Sequence, residues 1–83
     1  MFRVLLTKRG QRDLEELDKH LRRRILIKLT DYAATPNPLA FAKPLINLPP
    51  TTHRFRVGKH RISFFIEDDT IFVERIEARK DAY

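Results

Sequence analysis

The sequence predicts an α+β fold in which a helical hairpin packs on one face of a mainly antiparallel sheet. Two alternating apolar and polar runs joined by Gly58-Lys59 indicate a β-hairpin. A third alternating run follows Asp68-Asp69, whose residue type tolerates turn conformations. Between Thr7 and Ala34, apolar residues recur at helical spacing. The predicted order is β-α-α-β-β-β, in a single domain of residues 1–83.

The N-terminal part predicts a strand followed by two helices. Residues 2–6 are apolar on both faces, which is typical of a strand with neighbours. Thr7 is a candidate N-cap for an amphipathic helix from Lys8 to about Asp18. The helical pattern then restarts and continues to about Ala34. Pro36 ends this second helix, because proline cannot continue it and disfavours helical backbone in the preceding residue.

The connector that follows, residues 39–50, combines apolar residues with prolines. It predicts an ordered segment with little regular structure beyond a single turn at Leu39 to Ala42. Lys43 is its only charged residue.

The hairpin predicts where its side chains point. Gly58 at the first loop position suits a type II′ turn, and a two-residue loop sets Arg56 opposite Arg61. Like charges in that position cost roughly 0.2–1 kcal/mol. An anion would relieve the repulsion, although a solvated basic face is the alternative; we favour a phosphate site. The apolar face comprises Phe55, Val57, Ile62, Phe64 and Ile66, and the basic face comprises Arg54, Arg56, Arg61 and Ser63.

The same pairing rule extends to the third strand. It predicts the pairs Ile66–Ile71, Phe65–Phe72, Phe64–Val73, Ser63–Glu74 and Arg61–Ile76. Two aromatic rings, Phe65 and Phe72, then lie beside the arginines on the basic face. Such rings stack on bases of single-stranded RNA, or they cover a second small core.

Composition narrows the function. A formal charge of +6 and a pI near 10.2 indicate a polyanion or an acidic protein as partner. The sequence has no cysteine, no signal peptide pattern and no apolar run long enough to cross a membrane. These features predict a cytoplasmic protein. The chain has only two glycines, which is too few for a Gly-rich phosphate-binding loop. The residues His20, His53 and His60 lack a carboxylate cluster, so we expect no metal. The sole serine, Ser63, has no histidine partner for a nucleophile triad.

A family resemblance follows from the order of the segments. A strand, "LTKRGQRDLEEL", a helix pair, "KPLINLP", "HRFRVGKHRISFFIEDDTIFVERI" and "ARKDAY" together resemble the RelE/ParE toxin family of toxin–antitoxin systems. The resemblance implies a ribosome-dependent endoribonuclease that cuts mRNA by attack of a ribose 2′-OH on the adjacent phosphate. The ParE branch, whose members poison DNA gyrase, and a non-catalytic nucleic-acid-binding module are the alternatives.

The resemblance also implies roles for single residues. Catalytic candidates are Arg54, Arg56, Arg61 and Tyr83, and RNA-binding candidates are Lys43, Phe65, Arg79 and Lys80. Glu74 either forms an ion pair with Arg54 or Arg61, or accepts the 2′-OH proton. Tyr83 accepts a proton through its phenol, stacks on an RNA base, or belongs to a frayed tail. Ala78 and Ile46 stand where relatives have His and Glu, respectively.

The implied partners are a RelB-like antitoxin, the ribosome and mRNA. No membrane contact, metal ion or small-molecule cofactor is expected.

Overall fold

The fold is a mixed five-stranded sheet with two α-helices on one face. The computed structural model describes residues 1–78. The elements are β1 (Arg3–Leu6), α1 (Lys8–Glu15), α2 (Lys19–Ala33), a 3₁₀ turn (Pro38–Phe41), β2 (Lys43–Pro44), β3 (His53–Val57), β4 (His60–Glu67) and β5 (Thr70–Ala78). The strand order is β1-β5-β4-β3-β2, with β1 parallel to β5 and every other pair antiparallel. The predicted fold class is confirmed.

Side-chain caps explain where the helices begin. The Thr7 hydroxyl accepts a hydrogen bond from the Gly10 N–H at 3.1 Å, so the predicted N-cap is confirmed. The first helix ends at Glu15, earlier than predicted. An Asp18 side-chain oxygen accepts a bond from the Leu21 N–H at 3.0 Å and starts the second helix. The helix hairpin therefore has a second cap that the sequence analysis did not single out.

The core lies between the helices and the apolar face of the hairpin. It contains Leu14, Ile25, Leu29 and Ala33 from the helices and Phe55, Val57, Ile62, Phe64, Ile71, Val73 and Ile76 from the sheet. This arrangement confirms the apolar face predicted for the hairpin and leaves the basic face on the side away from the helices. None of the helices within residues 1–78 is long and apolar enough to cross a membrane.

Strands β1 and β2 form the two edges of the sheet. Strand β1 has β5 as its sheet neighbour and lies at the edge, which leaves Leu5 44% exposed. At the other edge, the connector forms the two-residue strand β2, which sets Lys43 opposite Arg54. Strand β2 was not predicted, because two residues are too few to show an alternation.

The β3–β4 hairpin has the predicted register. Arg56 pairs with Arg61 and Val57 pairs with His60. Gly58 has φ of 59°, and it is the one residue of the two-residue loop with positive φ, as a type II′ turn requires.

A β-bulge changes the register between β4 and β5. Phe64 pairs with Val73 as predicted, as do Phe65 with Phe72 and Ile66 with Ile71. Beyond the bulge, Ser63 pairs with Arg75 rather than Glu74, and Arg61 pairs with Glu77 rather than Ile76. Those two predicted pairs are wrong.

The bulge has a packing reason. In the unbroken register, Ile76 would lie on the basic face beside Arg61. One extra residue at Glu74 moves Ile76 opposite Ile62, where it joins the core. Burial of an isoleucine side chain is worth about 1.5–3 kcal/mol, which is enough to offset a local disruption of the ladder.

Helix α1 covers the part of β5 that β1 does not reach. The Thr7 N–H and hydroxyl both donate to the Val73 carbonyl oxygen, at 3.0 and 3.2 Å. One carboxylate oxygen of Asp13 accepts from the Ile76 N–H at 2.9 Å and from Arg75 Nε at 3.1 Å. These contacts satisfy a strand edge that would otherwise be unpaired, and they hold Arg75 in place.

Candidate nucleic-acid interface

Two arginines from adjacent strands form the centre of the basic face. Arg56 of β3 and Arg61 of β4 are direct cross-strand partners, and we call them the arginine pair. Arg56 is exposed and Arg61 is half-buried. Glu77 is the partner of Arg61 on β5, but its carboxylate accepts a hydrogen bond from an Arg75 terminal nitrogen at 3.1 Å. The two ion pairs found among residues 1–78 both involve Arg75, so neither belongs to the arginine pair.

A second group of cations lies at the β2–β3 edge. Lys43, Arg54 and Arg56 line a pocket of about 130 Å³ together with Phe41, and we call it the cationic groove. Strand β2 creates this grouping, because it sets Lys43 opposite Arg54. The structure thus brings together three of the cations that the sequence singled out, and Arg56 belongs to both groups.

The outer side of the sheet is covered where the connector folds over it. A pocket of about 170 Å³ lies between Pro49-Pro50 and β5, lined by Arg9, Ser63, Glu74 and Arg75 among others. Ser63 is only 6% exposed, so it is not part of an open basic face. We call this the connector pocket.

Glu74 lies in the connector pocket, apart from the cationic groove. Within residues 1–78 it forms no ion pair, so its predicted pairing with Arg54 or Arg61 is wrong. Its role as a proton acceptor stays a prediction.

The aromatic residues on the outer face contact each other. The rings of Phe65 and Phe72 stack with centroids 5.1 Å apart and an interplanar angle of 16°. Both side chains are half-buried. Each ring therefore has one face against the other ring, and stacking of an RNA base on Phe65 stays a prediction.

The histidines do not converge. His53 stacks on Phe64 with centroids 6.1 Å apart, and its Nδ1 lies 2.9 Å from the Thr52 hydroxyl. His60 is the half-buried partner of Val57 at the other end of the hairpin. In the part of the chain that the structure describes, no group of three or more His, Cys, Asp or Glu residues could hold a metal ion.

Some site residues lie beyond the described part of the chain. Arg79, Lys80 and Tyr83 are outside residues 1–78. Ala78, which stands where relatives have His, is the last residue of β5.

Sequence reasoning missed two residues near the cations, Phe41 and Glu77. Phe41 is 52% exposed in the cationic groove. Its position could have indicated this role, because Phe41 lies two residues before Lys43 in the proline-containing connector. Glu77 was missed because the bulge that sets it opposite Arg61 depends on core packing.

Sequence comparisons find relatives along almost the whole chain. Residues 4–83 match the family model of the ParE toxin of the type II toxin–antitoxin system parDE. Toxin RelE3 of Methanocaldococcus jannaschii is 31% identical over 84 residues, an alignment that covers 99% of this chain and 96% of the relative.

Structural comparisons find toxins in complex with antitoxins. The RelBE2 toxin–antitoxin complex of Mycobacterium tuberculosis matches with a TM-score of 0.75 and 25% identity, covering 94% of this chain and 98% of that chain. The archaeal RelE–RelB complex of Pyrococcus horikoshii matches with a TM-score of 0.75 and 24% identity, covering 98% of both chains. The latter similarity shows the fold alone.

Proposed function

Because this chain belongs to the RelE/ParE family of toxins of type II toxin–antitoxin systems, we propose that it is a ribosome-dependent endoribonuclease that cleaves mRNA. The observation that supports this proposal is the arginine pair, in which two like charges face each other across strands. Two arginines on directly paired positions of adjacent strands, neither in an ion pair within residues 1–78, suit a bound phosphate. The ribosome and mRNA are cytoplasmic, so this is where we place the protein.

The chemistry follows from where negative charge develops. The ribose 2′-OH loses its proton and its oxygen bonds to phosphorus while the bond from phosphorus to the 5′-oxygen breaks. The departing 5′-oxygen takes up a proton from water, which yields a cyclic phosphate and a free 5′-OH. Charge on the phosphoryl oxygens rises in the transition state, and fixed guanidinium donors stabilise it more than they stabilise the substrate. Arg56 and Arg61 take this role, while Lys43 and Arg54 bind the neighbouring RNA backbone.

A proton acceptor for the 2′-OH is also required. Glu74 is our candidate, since within residues 1–78 it is free of ion pairs whereas the Glu77 carboxylate is bound by Arg75. Glu74 lies in the connector pocket, which is also lined by Glu77, the β5 partner of Arg61. We assign Tyr83 to the same site, either as a base or as a ring that stacks on RNA, and Arg79 and Lys80 to backbone binding. No metal ion takes part in this proposal.

Primer extension on mRNA from cells that express the chain tests the proposal. We expect new 5′ ends at defined codon positions, in translated messages and not in an untranslated control transcript. The cleaved fragments should carry a 5′-OH, which a kinase-dependent ligation detects. Growth inhibition without such ends would contradict the nuclease function.

A DNA gyrase poison is the second candidate, and the match to the ParE family model favours it. Under this alternative, expression induces the DNA damage response and leaves mRNA uncut. Growth inhibition with neither signature would instead indicate a nucleic-acid-binding module without catalysis.

We further propose an antitoxin as the partner, in line with the antitoxin-bound structure of the similar Mycobacterium tuberculosis toxin. Leu26 and Ile27 are 39% and 51% exposed on α2, where they line a groove of about 390 Å³. Three cations, Lys19, Arg22 and Arg23, line the same groove together with one acidic residue, Asp31. Apolar residues bordered by cations suit an amphipathic antitoxin segment with acidic flanks.

Ile27→Asp should weaken antitoxin binding at least about tenfold, because it places a carboxylate in the apolar floor of the groove and repels acidic flanks. Calorimetry with the antitoxin encoded by the neighbouring reading frame measures the affinity. Leu48→Asp is the matched control, since Leu48 is an equally exposed apolar residue in the connector. Equal losses in both variants would place the antitoxin elsewhere.

A further inference from the structure

The cationic groove contains one feature that phosphate binding does not need. Phe41 is 52% exposed, although its neighbours in the groove are the three cations Lys43, Arg54 and Arg56. No carboxylate lines this pocket. An aromatic ring among cations is the combination with which proteins bind single-stranded nucleic acid, because the cations hold phosphates while the ring contacts a base.

The Phe41 ring is held on one side by a stack of rings. Its centroid lies 5.2 Å from that of Tyr32 at an interplanar angle of 22°, and Tyr32 stacks on Phe55 at 4.5 Å. Phe55 in turn stacks on Phe64 at 4.2 Å, and both of these side chains are fully buried. The core thus fixes the orientation of Phe41, which lowers the entropic cost of binding on its exposed side.

We propose that Phe41 is a base-stacking residue for single-stranded RNA, with the phosphates of the same nucleotides on Lys43, Arg54 and Arg56. This inference rests on the proposed function and adds a binding contact to it. Because Arg56 belongs to both the cationic groove and the arginine pair, the stacked base lies within a few nucleotides of the scissile phosphate. Duplex RNA is excluded as the ligand, since its bases are already stacked on each other.

Fluorescence anisotropy with a short labelled single-stranded RNA tests the inference at low salt. Phe41→Ala should weaken binding by roughly 5- to 100-fold, the range found when a base-stacking ring is removed. Phe41→Tyr should bind like the wild type, whereas Phe41→Leu, which keeps apolar contact with Tyr32 but has no ring, should bind weakly. An abasic oligonucleotide of equal length should bind equally to all four proteins. Leu39→Ala is the control for an exposed apolar residue of the same 3₁₀ turn.

Several results would overturn the inference. Phe41→Ala or Phe41→Leu could bind the RNA with the affinity of the wild type. Phe41→Ala could lose the same affinity for the abasic oligonucleotide as for the RNA with bases, or the wild type could bind no RNA. Thermal unfolding of each variant shows whether weaker binding reflects loss of the fold. If Phe41→Ala instead weakens antitoxin binding and leaves RNA binding intact, Phe41 serves a protein interface and the inference is wrong.

The outcomes separate this inference from the proposed function. If the wild type cleaves mRNA but Phe41→Ala binds RNA as tightly as the wild type does, only the stacking proposal is wrong. If Phe41→Ala loses affinity only for RNA that carries bases and no mRNA is cleaved in cells, the nuclease proposal is wrong and the stacking proposal stands.

Discussion

Arg61→Ala is expected to slow cleavage of ribosome-bound mRNA about 100- to 1,000-fold, the usual cost of removing one donor that stabilises transition-state charge. Arg61 is the half-buried member of the arginine pair and Arg56 is exposed, so salt should screen the charge of Arg61 less than that of Arg56. We therefore expect a smaller loss for Arg56→Ala. Single-turnover cleavage on programmed ribosomes measures both rates.

Two further variants identify the cause of the Arg61 effect. Arg61→Lys keeps the charge but loses the planar, bidentate donor set, so it should fall between Ala and the wild type. Arg3→Ala is the matched control, because it removes an exposed arginine from β1, at the far edge of the sheet. Removing Arg61 deletes one repulsive and one attractive cross-strand neighbour, Arg56 and Glu77, so the unfolding free energy should change by less than about 0.5 kcal/mol. A wild-type rate in Arg61→Ala would exclude Arg61 from the chemistry.

Gly10→Ala should destabilise the fold by about 3 kcal/mol or more, which is at the upper end for overpacking a core. A Cβ atom on Gly10 would clash with the Val73 carbonyl oxygen, a backbone atom that cannot rotate away. That oxygen also accepts both Thr7 hydrogen bonds, so moving it would break the start of α1. Urea unfolding followed by circular dichroism measures the change.

The other glycine of the chain is the matched control. A Cβ on Gly58 would lie 3.5 Å from the end of the flexible Arg24 side chain, so space is available. Its cost is the positive φ of 59°, about 1–2 kcal/mol for a residue with a side chain. If Gly10→Ala loses no more stability than Gly58→Ala, close contact between α1 and β5 is not what requires a glycine at position 10.

The parts of the fold that depend on a few neighbouring residues could be predicted from the sequence. Gly58-Lys59 predicted both the turn and the Arg56–Arg61 pairing, because a two-residue loop allows one register. Thr7 predicted the start of α1, since its hydroxyl bonds within one turn of the chain. The basic face followed from the same alternation, and with it the arginine pair.

Long-range packing decided the features that no short segment encodes. The bulge at Glu74 exists because Ile76 gains burial against Ile62, and it sets Glu77 rather than Ile76 beside Arg61. Pairing of the connector with β3 placed Lys43 opposite Arg54 and left Phe41 beside both. Each of these contacts joins residues from different segments: core burial drives the bulge, whereas backbone pairing with β3 holds the exposed Lys43 and Pro44. The sequence alone thus determined which cations face away from the helices, and the tertiary structure decided which carboxylate and which ring lie next to them.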